Sequence, residues 1–133
     1  MLELNDYFNP ISIEEPVFEH LSRQAGFAHN ITIHTENYSL KELHKFKIAL
    51  LGVPDGRNSP NSGSMKGPDM IREQLYKLSK VPGKTKIIDL GNMKQGVTFN
   101  DTLAGLTDIL VQLQEDNLFP VIIGGSSAII PGN

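Results

Sequence analysis

KIALLGV, residues 47–53, is a near-continuous apolar run closed by Gly52 and Pro54. So short a run without polar alternation reads as a strand buried on both faces, the pattern of parallel sheets. The theme recurs as KIIDL at 86–90, stopped by Gly91, and as FPVII at 119–123, stopped by Gly124 and Gly125. Pro120 has no N–H to give a ladder, which assigns it to the first residue of its strand.

Between these runs the period becomes helical. Pro68 suits a first helical position and Asp69 follows in the first turn, where the helix dipole favours an anion. Ile71, Leu75 and Leu78 then form an apolar stripe, Glu73 and Lys77 are spaced for an i,i+4 pair, and Pro82-Gly83 ends the run. The second helix opens at Thr98-x-x-Asp101, close to a capping box. Leu103, Leu106, Leu110 and Leu113 carry its buried face, and Asn117 takes the left-handed position at its end. The order is βαβαβ, which implies a parallel sheet with right-handed crossovers.

Residues 1–45 are more polar and form an N-terminal arm ahead of the βαβαβ part at 46–133. Ile31 and Ile33 alternate with Thr32 and His34, as in a half-buried antiparallel or edge strand. Pro16 to Ala25 reads as a short helix with Phe18, Leu21 and Ala25 on one face. The third strand runs into Gly-Gly-Ser-Ser, where Ser126 or Ser127 would cap a helix starting at Ala128. The expectation is an α/β fold truncated at the C-terminus. A sheet lacking that helix leaves an apolar face and an edge uncovered, so self-association is expected.

A net charge of −3 and a pI near 5.7 argue against the basic footprint of a nucleic-acid binder. With no cysteine, disulfides, thiolate metal sites and a Cys nucleophile are excluded. Met1 to Pro10 has no cationic stretch followed by an apolar one, and no apolar run approaches the roughly 20 residues of a membrane helix. The N-x-S/T triplets at Asn30, Asn37 and Asn100 then read as chance, and a soluble cytoplasmic protein is expected.

In open parallel sheets ligands bind beyond the carboxyl ends of the strands. Those ends are Val53–Pro68, Leu90–Thr98 and Gly124–Ile130. The first is long and rich in Gly, Pro, Asn and Ser, and it offers Asp55, Arg57, Asn58, Asn61, Ser62 and Ser64 as polar contacts. Neither phosphate-binding glycine pattern is present, and Lys66 precedes Gly67 where a P-loop lysine would follow, so a nucleotide-binding module is the weaker alternative. His20, His29, His34 and His44 all lie in the arm without metal-ligand spacing, which favours surface or packing roles. Asp89 either faces the crevice or fixes the following turn through backbone N–H groups. No Ser–His–Asp arrangement can be drawn around Ser126 or Ser127.

Three segments together resemble the ureohydrolase family of arginases, agmatinases and formimidoylglutamases. They are Gly52-Val53-Pro54 with a loop to Gly63 and then Gly67-Pro68-Asp69-Met70-Ile71-Arg72; Ile87-Ile88-Asp89-Leu90-Gly91-Asn92; and Phe119-Pro120-Val121-Ile122-Ile123-Gly124-Gly125. Ile31–Glu36 is similar to the arm of formimidoylglutamase-like members. The resemblance implies a three-layer α/β/α sandwich around a mainly parallel sheet, of which this chain is an incomplete N-terminal part. It also implies a Mn²⁺ pair that activates hydroxide to hydrolyse guanidino or formimino substrates, with urea or formamide released. Homo-oligomers are common in the family.

The family's Gly-Gly-x-His supplies a metal-ligating His where this chain has Ser127, a poor Mn²⁺ ligand beside imidazole. The family's Asp-x-His-x-Asp and Asp-x-Asp motifs do not occur in the chain. No catalytic or metal residue is therefore assigned to it, and the chain alone is expected to be inactive. A non-catalytic scaffold or ligand-binding member remains the alternative. Arg57, Asn58 and Asn61 stand as candidate contacts for a substrate carboxylate or amide.

Overall fold

The computed structural model describes residues 3–12, 26–27, 30–36, 40–55, 66–78 and 83–124. Its strands are β1 (Phe8–Asn9), β2 (Thr32–Ile33), β3 (Ile48–Val53), β4 (Ile87–Met93) and β5 (Phe119–Gly124). Its helices are α1 (Gly67–Leu75) and α2 (Phe99–Glu115), and short 3₁₀ turns lie at Leu4–Asp6 and Leu43–Lys45. The short helix expected over Pro16–Ala25 lies outside the described residues.

β3 lies between β4 and β5 and is parallel to both. The far edge of β4 takes β2 in parallel beside Ile88 and Asp89. It then takes β1 antiparallel beside Asn92 and Met93. The half-buried strand expected at Ile31–His34 is thus an edge strand of parallel sense. The expected βαβαβ order is present in α1 and α2 between β3, β4 and β5.

The first two apolar runs bury both faces of the sheet; the third, expected to do the same, is the edge strand β5, and its Phe119, Val121 and Ile122 are exposed. Ala49, Leu51, Val53, Ile88 and Leu90 belong to a cluster with Leu106, Ile109 and Leu113 of α2. Leu50 and Ile87 join Tyr76 and Phe27 on the opposite side, beneath α1. Helix, sheet and helix therefore make the three layers of the expected α/β/α fold, and burial of both faces explains why β3 and β4 lack alternation.

α2 follows its sequence signals. Thr98 accepts from the Asp101 N–H at 3.1 Å while Asp101 accepts from the Thr98 N–H at 3.0 Å, a complete capping box. Asn117 takes the left-handed position at φ 61°. Leu106 and Leu113 are buried with Phe99, Thr102 and Ile109, and Leu103 and Leu110 pack at the margin.

Three local expectations are corrected. Pro120 is the second residue of β5, not the first; Phe119 N–H donates to Lys47 O at 2.8 Å, so the missing Pro120 donor falls on the outer edge, where nothing is lost. Gly91 does not end the second strand, which continues to Met93. The stripe Ile71, Leu75 and Leu78 is not the buried face of α1: Ile71 and Leu78 are 47% and 57% exposed, while Pro68, Arg72 and Tyr76 face the sheet. The reason is polar, since a buried Asp89 waits on that side. Glu73 and Lys77 do not form the ion pair their spacing allows.

The turn at Gly91 has a register consequence. Leu50 pairs with Asp89, but two residues on, Gly52 pairs with Asn92, three residues along β4. One extra residue is thus inserted in β4, a bulge at which Gly91 takes φ +100°. A Cβ on Gly91 would run into the Asn9 carbonyl of β1. Before the bulge Ile87 and Asp89 face α1 and Ile88 and Leu90 face α2; after it Asn92 faces α1 and Met93 faces α2. The insertion reverses the alternation and puts Asn92 on the same face as Asp89.

Thr98→Ala removes the cap of α2, and denaturant unfolding is expected to report a loss of about 1 kcal/mol. Thr98→Ser retains most of that stability.

Candidate functional site

α1 enters from the loop after β3 with Pro68 in its first turn, and residues four and eight further on share its sheet-facing side. Those are Arg72, 3% exposed, and Tyr76, 2% exposed. Beneath them lies Asp89 of β4, with no exposed surface. Arg72 Nε donates to Asp89 Oδ2 at 2.9 Å and Arg72 Nη2 donates to Asp89 Oδ1 at 3.0 Å, a bidentate pair. The Tyr76 hydroxyl donates to Asp89 Oδ2 at 2.6 Å, and the Gly91 N–H donates to Asp89 Oδ1 at 3.1 Å. The last bond is the turn-fixing role expected of Asp89; the crevice-facing alternative is excluded by its burial.

The third guanidinium nitrogen carries the network towards solvent. Arg72 Nη1 donates to Asn92 Oδ1 and, at 3.3 Å, to Asp69 Oδ1. Asn92 Nδ2 donates to Asp69 Oδ1 at 2.9 Å. The Asn92 amide is thereby oriented from both ends. Gly52 makes room for it, because a Cβ there would strike Asn92 Oδ1 and lie 2.8 Å from Pro68 Cβ.

Burial disfavours the charge on Arg72, but its hydrogen bonds to Asp89 and the attraction of that carboxylate outweigh the effect and hold its pKa above the ordinary value. Burial, then the neighbouring Asp89 charge, raises the Tyr76 phenol well beyond its ordinary range. Removing one partner from such a buried pair costs about 3–5 kcal/mol, although the intact pair contributes little net stability.

Outside this network a crevice of about 610 Å³ opens beyond the carboxyl ends of β3 and β4. Pro54, Lys66, Asp69, Asn92, Lys94 and Gln95 form most of its wall, and Asn9 and Ser12 of the arm close one side. Gln95 Nε2 donates to Pro54 O at 3.1 Å, and Lys94 N–H donates to Tyr7 O at 2.8 Å, which ties the wall to both neighbouring strands.

Of the residues singled out in the sequence, Gly52, Pro68, Arg72, Asp89 and Gly91 build the support behind the crevice, and Pro54 lies in its wall. Gly67 begins α1, and Gly124 ends β5 opposite Val53. Arg57, Asn58, Asn61, Gly63, Gly125 and Ser127 lie outside the described residues. Asp55, offered as a ligand contact, is instead fully buried and accepts from Thr102 Oγ1 at 2.8 Å. His34 is a packing residue: it is buried, its N–H donates to Asp89 O at 3.0 Å, and its Nδ1 donates to Leu90 O at 2.8 Å. Sequence reasoning assigned no role to Tyr76, Lys94, Gln95, Asn9 or Ser12. Lys94 and Gln95 fall within the second strand-end window, whereas the arm residues carry no local signal.

Among the described residues no group of three or more His, Cys, Asp or Glu side chains converges. The buried carboxylates are committed elsewhere, Asp55 to Thr102 of α2 and Asp89 to Arg72 and Tyr76 of α1. These residues do not fit a manganese pair.

Residues 46–132 match the arginase family. The chain belongs to that family. Within it the chain is formimidoylglutamase-like: it is 29% identical over 79 residues to a formimidoylglutamase of Clostridium tetani, covering 58% of this chain and 23% of the relative. It is 30% identical over 89 residues to a formimidoylglutamase of Citrobacter koseri, covering 63% of this chain and 28% of the relative. The match thus spans about a quarter of the length of these relatives. No solved structure matches the chain significantly.

Asp89→Asn strands the buried guanidinium and is expected to cost this arginase-family chain about 3–5 kcal/mol in urea unfolding. Arg72→Met combined with Asp89→Leu recovers much of that loss. For Tyr76 the folded-state pKa lies above the unfolded one, so its contribution is present below about pH 10 and is lost as pH rises beyond it. In an ultraviolet titration one of the three phenols is expected to ionise only as the protein unfolds in base, and Tyr76→Phe removes that late step.

Proposed function

We propose that the full-length protein hydrolyses a non-peptide C–N bond in a formimino or guanidino substrate, with formimidoylglutamate as its substrate. The observation that carries this reading is the match to the arginase family over residues 46–132, a span that holds most of the crevice wall beyond β3 and β4. The names of the two relatives favour the formimino substrate.

This chain's part in the reaction is support and binding. The Arg72–Asp89 pair holds α1 against β4, Gly52 admits Asn92, and Asn92 and Asp69 present oriented polar groups to the crevice. The manganese pair implied by the family polarises a carbon–nitrogen centre when bound. The described residues do not form its site, so no step is assigned through it, and the 133-residue chain is inactive by itself. We place the protein in the cytoplasm as a homo-oligomer. Exposed Phe119, Val121 and Ile122 on β5 support association, and among the described residues no helix is long and apolar enough to cross a membrane.

A second reading has its own support. Every buried ionisable group described here is already bonded within the fold, as in a member that retains the scaffold without catalysis. The deciding assay supplies Mn²⁺ and formimidoylglutamate, agmatine or arginine to the full-length protein. Formamide release from the first is expected, with none from the 133-residue chain. A full-length protein that releases neither formamide nor urea overturns the hydrolase reading in favour of the scaffold.

A further inference from the structure

We propose that the outward side of α1 is a docking surface for a second copy of this chain, the two helices packing antiparallel across a two-fold axis. Pro68, Arg72 and Tyr76 take the side of α1 that meets the sheet, and Leu75 is half-buried at its margin. Met70, Ile71 and Leu78 are left 62%, 47% and 57% exposed. With Gln74, Leu75 and Lys77 they line a shallow, mainly apolar groove of about 500 Å³. Single exposed apolar side chains are ordinary on a protein surface, but three on successive turns of one helix mark an interaction face. The Arg72–Asp89 pair fixes the rotation of α1 and so holds that face outward.

The charges beside the groove select its occupant. Glu73 and Lys77 are exposed and stand one turn apart on the same flank. Among the described residues neither is ion-paired. A two-fold interface has to be complementary to itself. An axis passing beside Gln74 and Leu75 reverses the direction of the second helix, so Glu73 meets the partner's Lys77, and Lys77 meets the partner's Glu73. The same axis sets Ile71 against the partner's Leu78. Gln74 lies against its own copy, and its amide carries both a donor and an acceptor. A parallel pairing would oppose like charges at both positions. The nine residues of α1 span about 14 Å. The contact is therefore smaller than the roughly 800 Å² per partner of a standard interface, and a dimer of micromolar strength is expected. The inference rests on the homo-oligomer proposed above and names one of its surfaces; it does not depend on catalysis.

The test is sedimentation of the full-length protein over a range of concentrations. A reversible association step in the micromolar range is expected. Glu73→Lys and Lys77→Glu are each expected to weaken that step at least tenfold, because symmetry opposes like charges twice. An equimolar mixture of the two variants is expected to restore it, since each then supplies the charges the other needs. Leu78→Lys is expected to abolish it. Glu115→Lys, on the exposed side of α2, is expected to change nothing. All the substituted side chains are exposed, and an unchanged urea midpoint verifies that the variants are folded. An association step that survives both single charge reversals, or that survives Leu78→Lys, overturns the α1 interface and leaves the homo-oligomer reading in place. A mixture that stays dissociated also overturns it, because the reversals have then acted otherwise than across a two-fold axis. A wild-type protein that is monomeric at millimolar concentration overturns both.

Discussion

The bidentate pair between Arg72 and Asp89 is the constraint on which the α1 side of this molecule depends. A guanidinium and a carboxylate have been taken out of water together, and the arrangement is tolerable because nearly every hydrogen-bonding direction is used. Asp89 receives two bonds from Arg72, one from Tyr76 and one from the Gly91 backbone. Such a pair adds little to net stability, yet it admits one docking of the helix. An apolar α1 could slide or rotate on Leu50 and Ile87; the fork of Arg72 over Asp89 cannot.

The same pair connects the interior to the crevice. Its outer nitrogen fixes Asn92 and Asp69, and those two side chains stand in the crevice wall. That connection requires the bulge at Gly91. Were Gly91 part of a regular pleat instead of a bulge, Asn92 would point into the apolar layer under α2, and Met93 would face α1. Gly52 answers the bulge across the strand pair, since only a residue without a Cβ leaves space for the Asn92 oxygen. The two glycines thus serve one polar network from adjacent strands.

Much of the fold was legible before any coordinates. The runs KIALLGV and KIIDL became central strands because burial on two faces leaves no room for alternation, whereas FPVII, equally apolar, became an edge strand with Phe119, Val121 and Ile122 exposed. The Thr98–Asp101 box and Asn117 marked the ends of α2 because capping uses neighbours in sequence. At α1 apolar spacing does not mark the buried face. There, Ile71 and Leu78 are exposed and a charged residue is buried, an inversion that rests on a carboxylate 17 residues further along the chain.

For this protein, then, the sequence by itself determined the order of strands and helices, the capped ends of α2, and the family to which the chain belongs. Those properties depend on local periodicity, on backbone chemistry and on short motifs. Only the tertiary structure decided which side of α1 meets the sheet, which way Asn92 points, and that the arm supplies Asn9 and Ser12 to the crevice. Each of these follows from strand register and from contacts between distant segments, and whether Gly91 bulges or continues the pleat decides which way Asn92 and Met93 face.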